Sequence, residues 1–362
     1  MSPSGPRILL HGTGSIGSIY AYQLLQGGAD VTVICRSNYD AVKDNGIHID
    51  SDLYGKGLHI KPSVVRTPQE AAENGPYDFL LVACKALPEA KTSETIAPAV
   101  TPGRTTIALI QNGIDIEQEY ANRFPENPLL SCVIYLPATQ ISPGHVHMGG
   151  LERLEIGPFP SSAHEDPKVK DSADNFIAAL KAGGGNPVYH ADIQELRWFK
   201  LLLNVPWNPI CALTLARDLP YLASSELAKP VLDGVLDEVV AVSQALGYKS
   251  VTKKAADEGV AVIRARQGTL GTEPSMLADV LLSRRMEHEV ILGNPVRTAQ
   301  KIGVPVPRME LLYVLVKALD LSQQKRKEGK SLDCADLGTA AANERQESWG
   351  IHWMSSSRAG WS

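Results

Sequence analysis

The hexapeptide Gly12-Thr13-Gly14-Ser15-Ile16-Gly17 follows a short apolar run, Ile8-Leu9-Leu10, and precedes a helical pattern. A lone GxGxxG is a weak signal. Between a strand and a helix near the start of a βαβ unit, it predicts a dinucleotide-binding turn. Gly12 allows the tight turn, Gly14 lets the backbone approach a pyrophosphate, and Gly17 lets helix and strand pack closely. The first amides of the helix and the positive end of its dipole then meet the phosphates. The helix is read from Ile16, Ile19, Tyr20, Gln23 and Leu24 at three- and four-residue spacing, with Gly27-Gly28 as its stop. Val31 to Cys35, rich in β-branched residues, is the second strand. Parallel strands joined this way make a right-handed unit.

Two further apolar runs, Asp78 to Ala83 and Thr105 to Ile110, read as buried parallel strands. They end in polar residues, Lys85 and Gln111-Asn112-Gly113, at the carboxyl edge where ligands sit on such sheets. Residues 129–156 read as strands punctuated by Pro and Gly, and residues 161–170 as a polar loop. Residues 171–181 read as a helix that Gly183-Gly184-Gly185 ends. After Asp192 the periodicity is helical, over 195–203, 227–246, 253–266, 276–292 and 311–319. The expectation is an α/β, Rossmann-type doubly wound domain over 1–190 and an all-α substrate and catalytic domain over 191–322. A polar tail over 323–362 follows, with a mobile end at 355–362.

The formal net charge of −5 provides no global basic field for nucleic acid or anionic lipid, so neither partner is expected. The longest apolar run, Phe79 to Cys84, is too short to span a membrane, and the start lacks the apolar stretch of a signal peptide. The five cysteines include no CxxC pair, which suggests reduced thiols in a cytoplasmic protein. His145 and His147 alternate on a strand with no cysteine nearby, so they read as a polar strand and no metal is expected. The GxSxG elbow of a hydrolase is missing.

Selectivity between nicotinamide cofactors is written at the end of the second strand. A carboxylate there would bind the ribose hydroxyls of NADH. This chain has Arg36-Ser37-Asn38, and a guanidinium fork suits a 2′-phosphate, so NADPH is the expected cofactor. Ser37 and Asn38 can add neutral hydrogen bonds. Lys85 is placed to contact ribose or phosphate, and Asn112 to reach the nicotinamide end.

Lys200, Asn204 and Asn208 recur every four residues amid Trp198, Phe199 and leucines. On a helix each such step turns the face by about 40°, so the three form one polar stripe. Pro206 and Pro209 suggest that Asn208 sits past a kink. A lysine among apolar residues needs partners if buried, and beside a dinucleotide it is a candidate general acid. Glu287 is its candidate partner, and Ser275 a candidate donor to a substrate carboxylate or hydroxyl.

The order of these motifs resembles the ketopantoate reductase (2-dehydropantoate 2-reductase) family over residues 7–320. The matching features are GTGSIG, Arg36, Cys84-Lys85, Gln111-Asn112-Gly113 and the Lys200/Asn204/Asn208 stripe. Ser275-Met276 with Asp279, Glu287, Gly293 and Gly303-Val-Pro305-Val-Pro307 complete the set. The resemblance implies NADPH-dependent reduction of 2-dehydropantoate, a 2-keto acid, to pantoate, a step of pantothenate biosynthesis. It assigns the general acid to Lys200 and substrate binding to Asn204, Asn208 and Ser275. Asn112 would contact both cofactor and substrate, and Glu287 would hold the cofactor ribose or orient the lysine. The turn Gly12 to Gly17, Arg36 and Lys85 would bind NADPH.

The chain departs from the family at Thr272, at Asp218 and at Met286. Asparagine is usual at or near the first two positions and threonine is common at the third. Thr272 is thereby a candidate substrate contact, and a different, bulkier 2-keto acid (branched or aromatic) is an alternative. A β-hydroxyacid dehydrogenase and a non-catalytic NADPH-sensing protein are the other readings. A small-molecule partner is implied, and a homodimer is the assembly considered.

Overall fold

Strands without a polar face need cover on both sides, and helices supply it here. In the computed structural model, which describes residues 5–328, β1 (Arg7–His11) leads through α1 (Ser15–Gln26) into β2 (Asp30–Ile34). The next stretch, where the sequence pattern suggests no element, holds α2 (Tyr39–Asn45), β3 (Ile47–Ser51), β4 (Gly55–Ile60), β5 (Ser63–Val65) and α3 (Pro68–Glu73). Alternation resumes with β6 (Phe79–Val82), α4 (Thr92–Ile96), β7 (Thr106–Ile110), α5 (Gln118–Arg123) and β8 (Leu129–Tyr135). Then come β9 (Ala138–Ser142), β10 (His145–Met148), β11 (Arg153–Pro158), α6 (Pro167–Ala182) and β12 (Pro187–Tyr189).

Eight of these strands form one sheet in the order β12-β11-β8-β7-β6-β1-β2-β5. All neighbours run parallel except β8 and β11. The chain moves outward from β1 through β2 to β5, then returns to the other side of β1 as β6. The switch point therefore falls between the carboxyl ends of β1 and β6, where ligands of open α/β sheets bind. A second, four-stranded sheet has the order β4-β3-β10-β9. It buries Ile47, Ile49, Val146 and Met148 in the cluster that includes α1 and turns His145 and His147 outward near Asp50 and Asp52.

One face of the large sheet packs Ile8, Leu10, Val33 and Leu81 on Ile19 and Leu24 of α1 and Phe176 of α6. On the other face Leu9, Ile34, Leu80, Val82 and Leu109 belong to a cluster that continues through Trp198, Leu201, Val205, Leu236 and Met309. The sheet and the helical half thus share an apolar core.

The helical half contains α7 (Gln194–Thr214), α8 (Asp218–Ala223), α9 (Ala228–Ala245), α10 (Lys253–Arg264) and α11 (Ser275–Leu281). A π-helical turn at Glu289–Gly293 runs into α12 (Asn294–Ile302), and α13 (Pro307–Lys327) follows. Among the described residues no helix is long and apolar enough to cross a membrane.

Three expectations are corrected here. α7 does not stop near Leu203 but continues through Pro206 and Pro209. Two intrahelical amides are lost, but burial of Leu202, Val205, Trp207, Ile210 and Cys211 keeps the segment helical. The single helix expected over 276–292 is broken. Ser283 takes a left-handed conformation with φ 50, and the chain then runs without helix to Glu287. Asp320, 1% exposed, holds the break by accepting from Met286 N at 2.9 Å and Arg285 Nε at 2.8 Å. Finally, α13 passes residue 322 and ends at Lys327. The end expected to be mobile (355–362), and Cys334, lie outside the described residues.

Asp320→Ala should leave the buried Met286 amide unpaired, while the half-buried Arg285 guanidinium keeps its ion pair with Glu89. We expect a loss of about 1–3 kcal/mol in unfolding free energy by urea titration, as for other buried donors left without an acceptor.

Candidate functional site

The glycine turn sits at the switch point. Gly12 has φ +108, and a Cβ there would lie 2.4 Å from the Cys84 amide nitrogen, so the turn lies hard against the chain leaving β6. A Cβ on Gly17 would lie 2.0 Å from the Gly12 carbonyl oxygen, which closes α1 onto β1. On Gly14 it would meet no atom within 4 Å, and no side chain caps α1. The backbone over Gly14, Ser15 and Ile16, at the first turn of the helix, is thus open to close approach by an anion. Thr13 Oγ1 donates to the Ile34 carbonyl at 3.0 Å, and Asn38 Nδ2 donates to the Thr13 carbonyl at 2.7 Å. Asn38 is therefore committed to holding the turn, not free for a ribose phosphate. Arg36 is exposed, and among the described residues no carboxylate pairs with it.

The carboxyl ends of β6, β7 and β8 meet the helical half. Lys85 pairs with the buried Asp279 and donates to the Arg285 carbonyl at 2.8 Å. Burial raises the Asp279 carboxyl above its usual range against the pull of Lys85 and Arg284. Glu287, brought in by the non-helical stretch before the π-helical turn, accepts from Ala86 N at 2.9 Å. Its carboxyl is raised by burial, opposed by Lys85, the Ala86 amide and a hydrogen bond from Asn112. Asn112 Oδ1 in turn accepts from Lys200 Nζ at 2.7 Å, and Nζ also donates to the Ile134 carbonyl. The Asn112 amide thus links the lysine to the carboxylate. A cavity of about 10 Å³, room for a single water, is lined by Asn112, Lys200 and Asn204 among others.

Burial pushes the Lys200 ammonium down to about 7, with the Arg197 guanidinium acting in the same direction and Glu287 opposing. An amine with that value is half-protonated near neutrality and can give or take a proton there.

The stripe divides along α7. Lys200 and Asn204 share the cavity, whereas the buried Asn208 lies 3.5 Å from Ser275 Oγ and from Met276 N. Thr272 joins a different group. Its amide donates to Asp218 Oδ1 at 2.8 Å, and its hydroxyl accepts from Arg266. Arg266 also pairs with Asp218 at 2.8 Å.

Sequence reading missed Arg197. It precedes Lys200 by less than one helical turn, and its side chain is 1% exposed, as is that of Glu117, with which it pairs at 2.8 Å. Arg197 also donates to Ser131 Oγ at 2.7 Å and to the carbonyls of Gln111 (3.1 Å), Gly113 (2.8 Å) and Cys132 (3.2 Å). Two of those carbonyls flank Asn112. Burial alone would raise the Glu117 carboxyl. Arg197, Gln194 and Ser131 outweigh it and leave Glu117 below its usual range. On the far side of the turn, Gly113 lies against Val290 of the π-helical turn, and Ile114 N donates to the Val290 carbonyl at 3.1 Å.

Residues 8–161 match the family model described as Ketopantoate reductase PanE/ApbA, and residues 192–320 its C-terminal counterpart. An uncharacterized protein of Saccharomyces cerevisiae, YDL144C, is 32% identical over 92% of this chain and 98% of its own. The crystal structure of 2-dehydropantoate 2-reductase from Methylococcus capsulatus aligns with a TM-score of 0.74 at 32% identity, over 88% of this chain and 97% of that one. D-mandelate dehydrogenase, solved with NADH and anilino(oxo)acetate, shares the fold with a TM-score of 0.77 at 22% identity, over 88% and 99% of the two chains. Fold and matches together define an oxidoreductase acting on CH–OH groups. The chain belongs to the ketopantoate reductase family.

Removing one member of the Arg197–Glu117 pair strands the other charge in the interior. Arg197→Met and Glu117→Met should each cost about 3–5 kcal/mol, and the double variant clearly less than the sum. Denaturant unfolding of all four proteins measures this coupling, and strict additivity would contradict it.

Proposed function

We propose that the chain reduces a 2-keto acid to the 2-hydroxy acid with NADPH, and that 2-dehydropantoate is its first candidate substrate. One observation carries the reading. The Lys200 ammonium is held between Asn112 Oδ1 and the Ile134 carbonyl at a cavity it shares with Asn204. An ammonium has three N–H donors. Two are committed here, and the third is left for a substrate oxygen.

The open backbone at Gly14 to Ile16, held in place by the close-packed Gly12 and Gly17, fits a pyrophosphate, and Arg36 fits a 2′-phosphate. Lys85, Asn112 and Glu287 would hold the ribose and nicotinamide end. When bound, the cofactor supplies a hydride to C2 of the keto acid. Lys200 meets the charge developing on the carbonyl oxygen and gives it a proton. Asn112, tied to Glu287, fixes where the ammonium points. Asn204, Asn208 and Ser275 offer amide and hydroxyl groups to the substrate's carboxylate and substituents.

Lys200→Ala should lower kcat by about 10²–10⁴ with NADPH affinity retained, as read by turnover and by fluorescence titration. A variant with unchanged kcat would remove Lys200 from this role. The proton donor must be charged. In wild type, kcat/KM for reduction should therefore fall as pH rises through about 7, and oxidation of the product should show the opposite slope.

Thr272 supports a second reading. Its hydroxyl, which accepts from Arg266, brings one donor where the asparagine amide usual in the family would bring two. A site with one donor fewer for a substrate hydroxyl suits a branched or aromatic 2-keto acid. Steady-state assays with 2-dehydropantoate, 2-ketoisovalerate and phenylpyruvate separate the two. A kcat/KM for 2-dehydropantoate at least about tenfold above the others supports the first. The reverse order supports the second.

A further inference from the structure

His11 closes β1 and immediately precedes the glycine turn, and it has no part in the reaction proposed for Lys200. It is paired with Ile34 of β2 and Val82 of β6, at the switch point of the sheet. The residue is 5% exposed, and its Nδ1 is sealed from solvent with no hydrogen-bond partner among the described residues. A buried polar nitrogen without a partner is unfavourable, and an aliphatic residue would pack there without that cost. By strand alternation the ring lies on the same face as Leu9, away from α1. Two charged or titratable groups bear on the spot. Arg36, leaving β2, acts on both His11 and Cys84, and Cys84, leaving β6, has a thiol that burial pushes up to about 11 and keeps neutral.

We propose that His11 belongs to the adenosine end of the dinucleotide site, where its unpartnered ring donates a hydrogen bond to the phosphorylated ribose beside Arg36 and helps select the 2′-phosphate. The inference rests on the dinucleotide reading of the turn and deepens it. Among the described residues no carboxylate pairs with Arg36 and nothing hydrogen-bonds His11 Nδ1, so an anionic group held by Arg36 at this edge offers a partner to both. Burial, reinforced by Arg36, holds the imidazole down to about 4, so the ring is neutral without ligand and does not repel the guanidinium. A phosphate dianion at the same place reverses that balance and draws a proton onto the ring. The second side-chain torsion of histidine is broad, which lets the ring turn a nitrogen toward the carboxyl edge.

The test is calorimetric titration of the full chain with 2′,5′-ADP and with 5′-ADP, which lacks the 2′-phosphate. His11→Leu and His11→Asn are compared with wild type. Wild type should prefer 2′,5′-ADP. His11→Leu should weaken 2′,5′-ADP about tenfold or more, as for loss of a hydrogen bond to a charged group, and should change 5′-ADP by less than about twofold. His11→Asn, which keeps a donor, should recover part of the loss.

In wild type, the imidazole nitrogen chemical shifts of His11 near neutral pH should move toward the protonated form with 2′,5′-ADP and stay put with 5′-ADP. That measurement decides alone if the variants do not fold. Equal weakening of both ligands, no weakening, or no change at the ring overturns the proposal. Equal wild-type affinity for the two ligands overturns it while leaving the dinucleotide reading intact. Binding of neither ligand removes both.

Discussion

The buried pair of Arg197 and Glu117 is the interaction on which the rest of the site depends. Glu117 follows the turn after β7, and Arg197 lies in the first turns of α7, so the pair joins the sheet to the helical half where both are dry. An ion pair so buried is weak evidence for stability in itself. Its consequence is geometric. The Nε that faces Glu117 also donates to the Ser131 hydroxyl of β8, and Nη1 and Nη2 grip the carbonyls on either side of Asn112 and that of Cys132. The turn that presents Asn112 and the helix that presents Lys200 are thereby fixed to one guanidinium. That positive charge also adds to burial in lowering the lysine's proton affinity.

What the sequence revealed and what it hid divide along physical lines. The glycine turn was legible because Gly12 and Gly17 answer local steric demands that no other residue meets, and Gly14 leaves the backbone between them bare. The lysine and amide stripe was legible because helical spacing alone puts positions four apart on one face. Lys200 and Asn204 are indeed found around one cavity with Asn112. Other features hang on partners far along the chain. The small sheet exists because β3 and β10 pair in parallel, with His48 opposite His145. Nothing in either segment announces that pairing. Glu287 reaches Ala86 because Asp320 captures the segment before it, whereas the apolar periodicity of 276–292 suggests an uninterrupted helix. Arg197 beside a tryptophan reads as a solvated helix face until Glu117 is seen. Asn38 shows the reverse error: a residue type suited to a ligand is engaged in holding Thr13.

Lys85 carries a consequence of its own. Its ammonium is paired with Asp279, an acid of the opposite half. If an anionic cofactor takes that lysine, its arrival is an exchange of one anion for another and not a simple neutralisation. The departing anion is part of the protein, so this contact releases no salt ion of its own. Counting basic residues around the site would then overstate how steeply affinity falls with ionic strength. The carboxylate left behind keeps Arg284 but loses Lys85, so burial raises it further and it is better placed to take up a proton. Cofactor capture in such a cleft would be felt as proton uptake on the helical side.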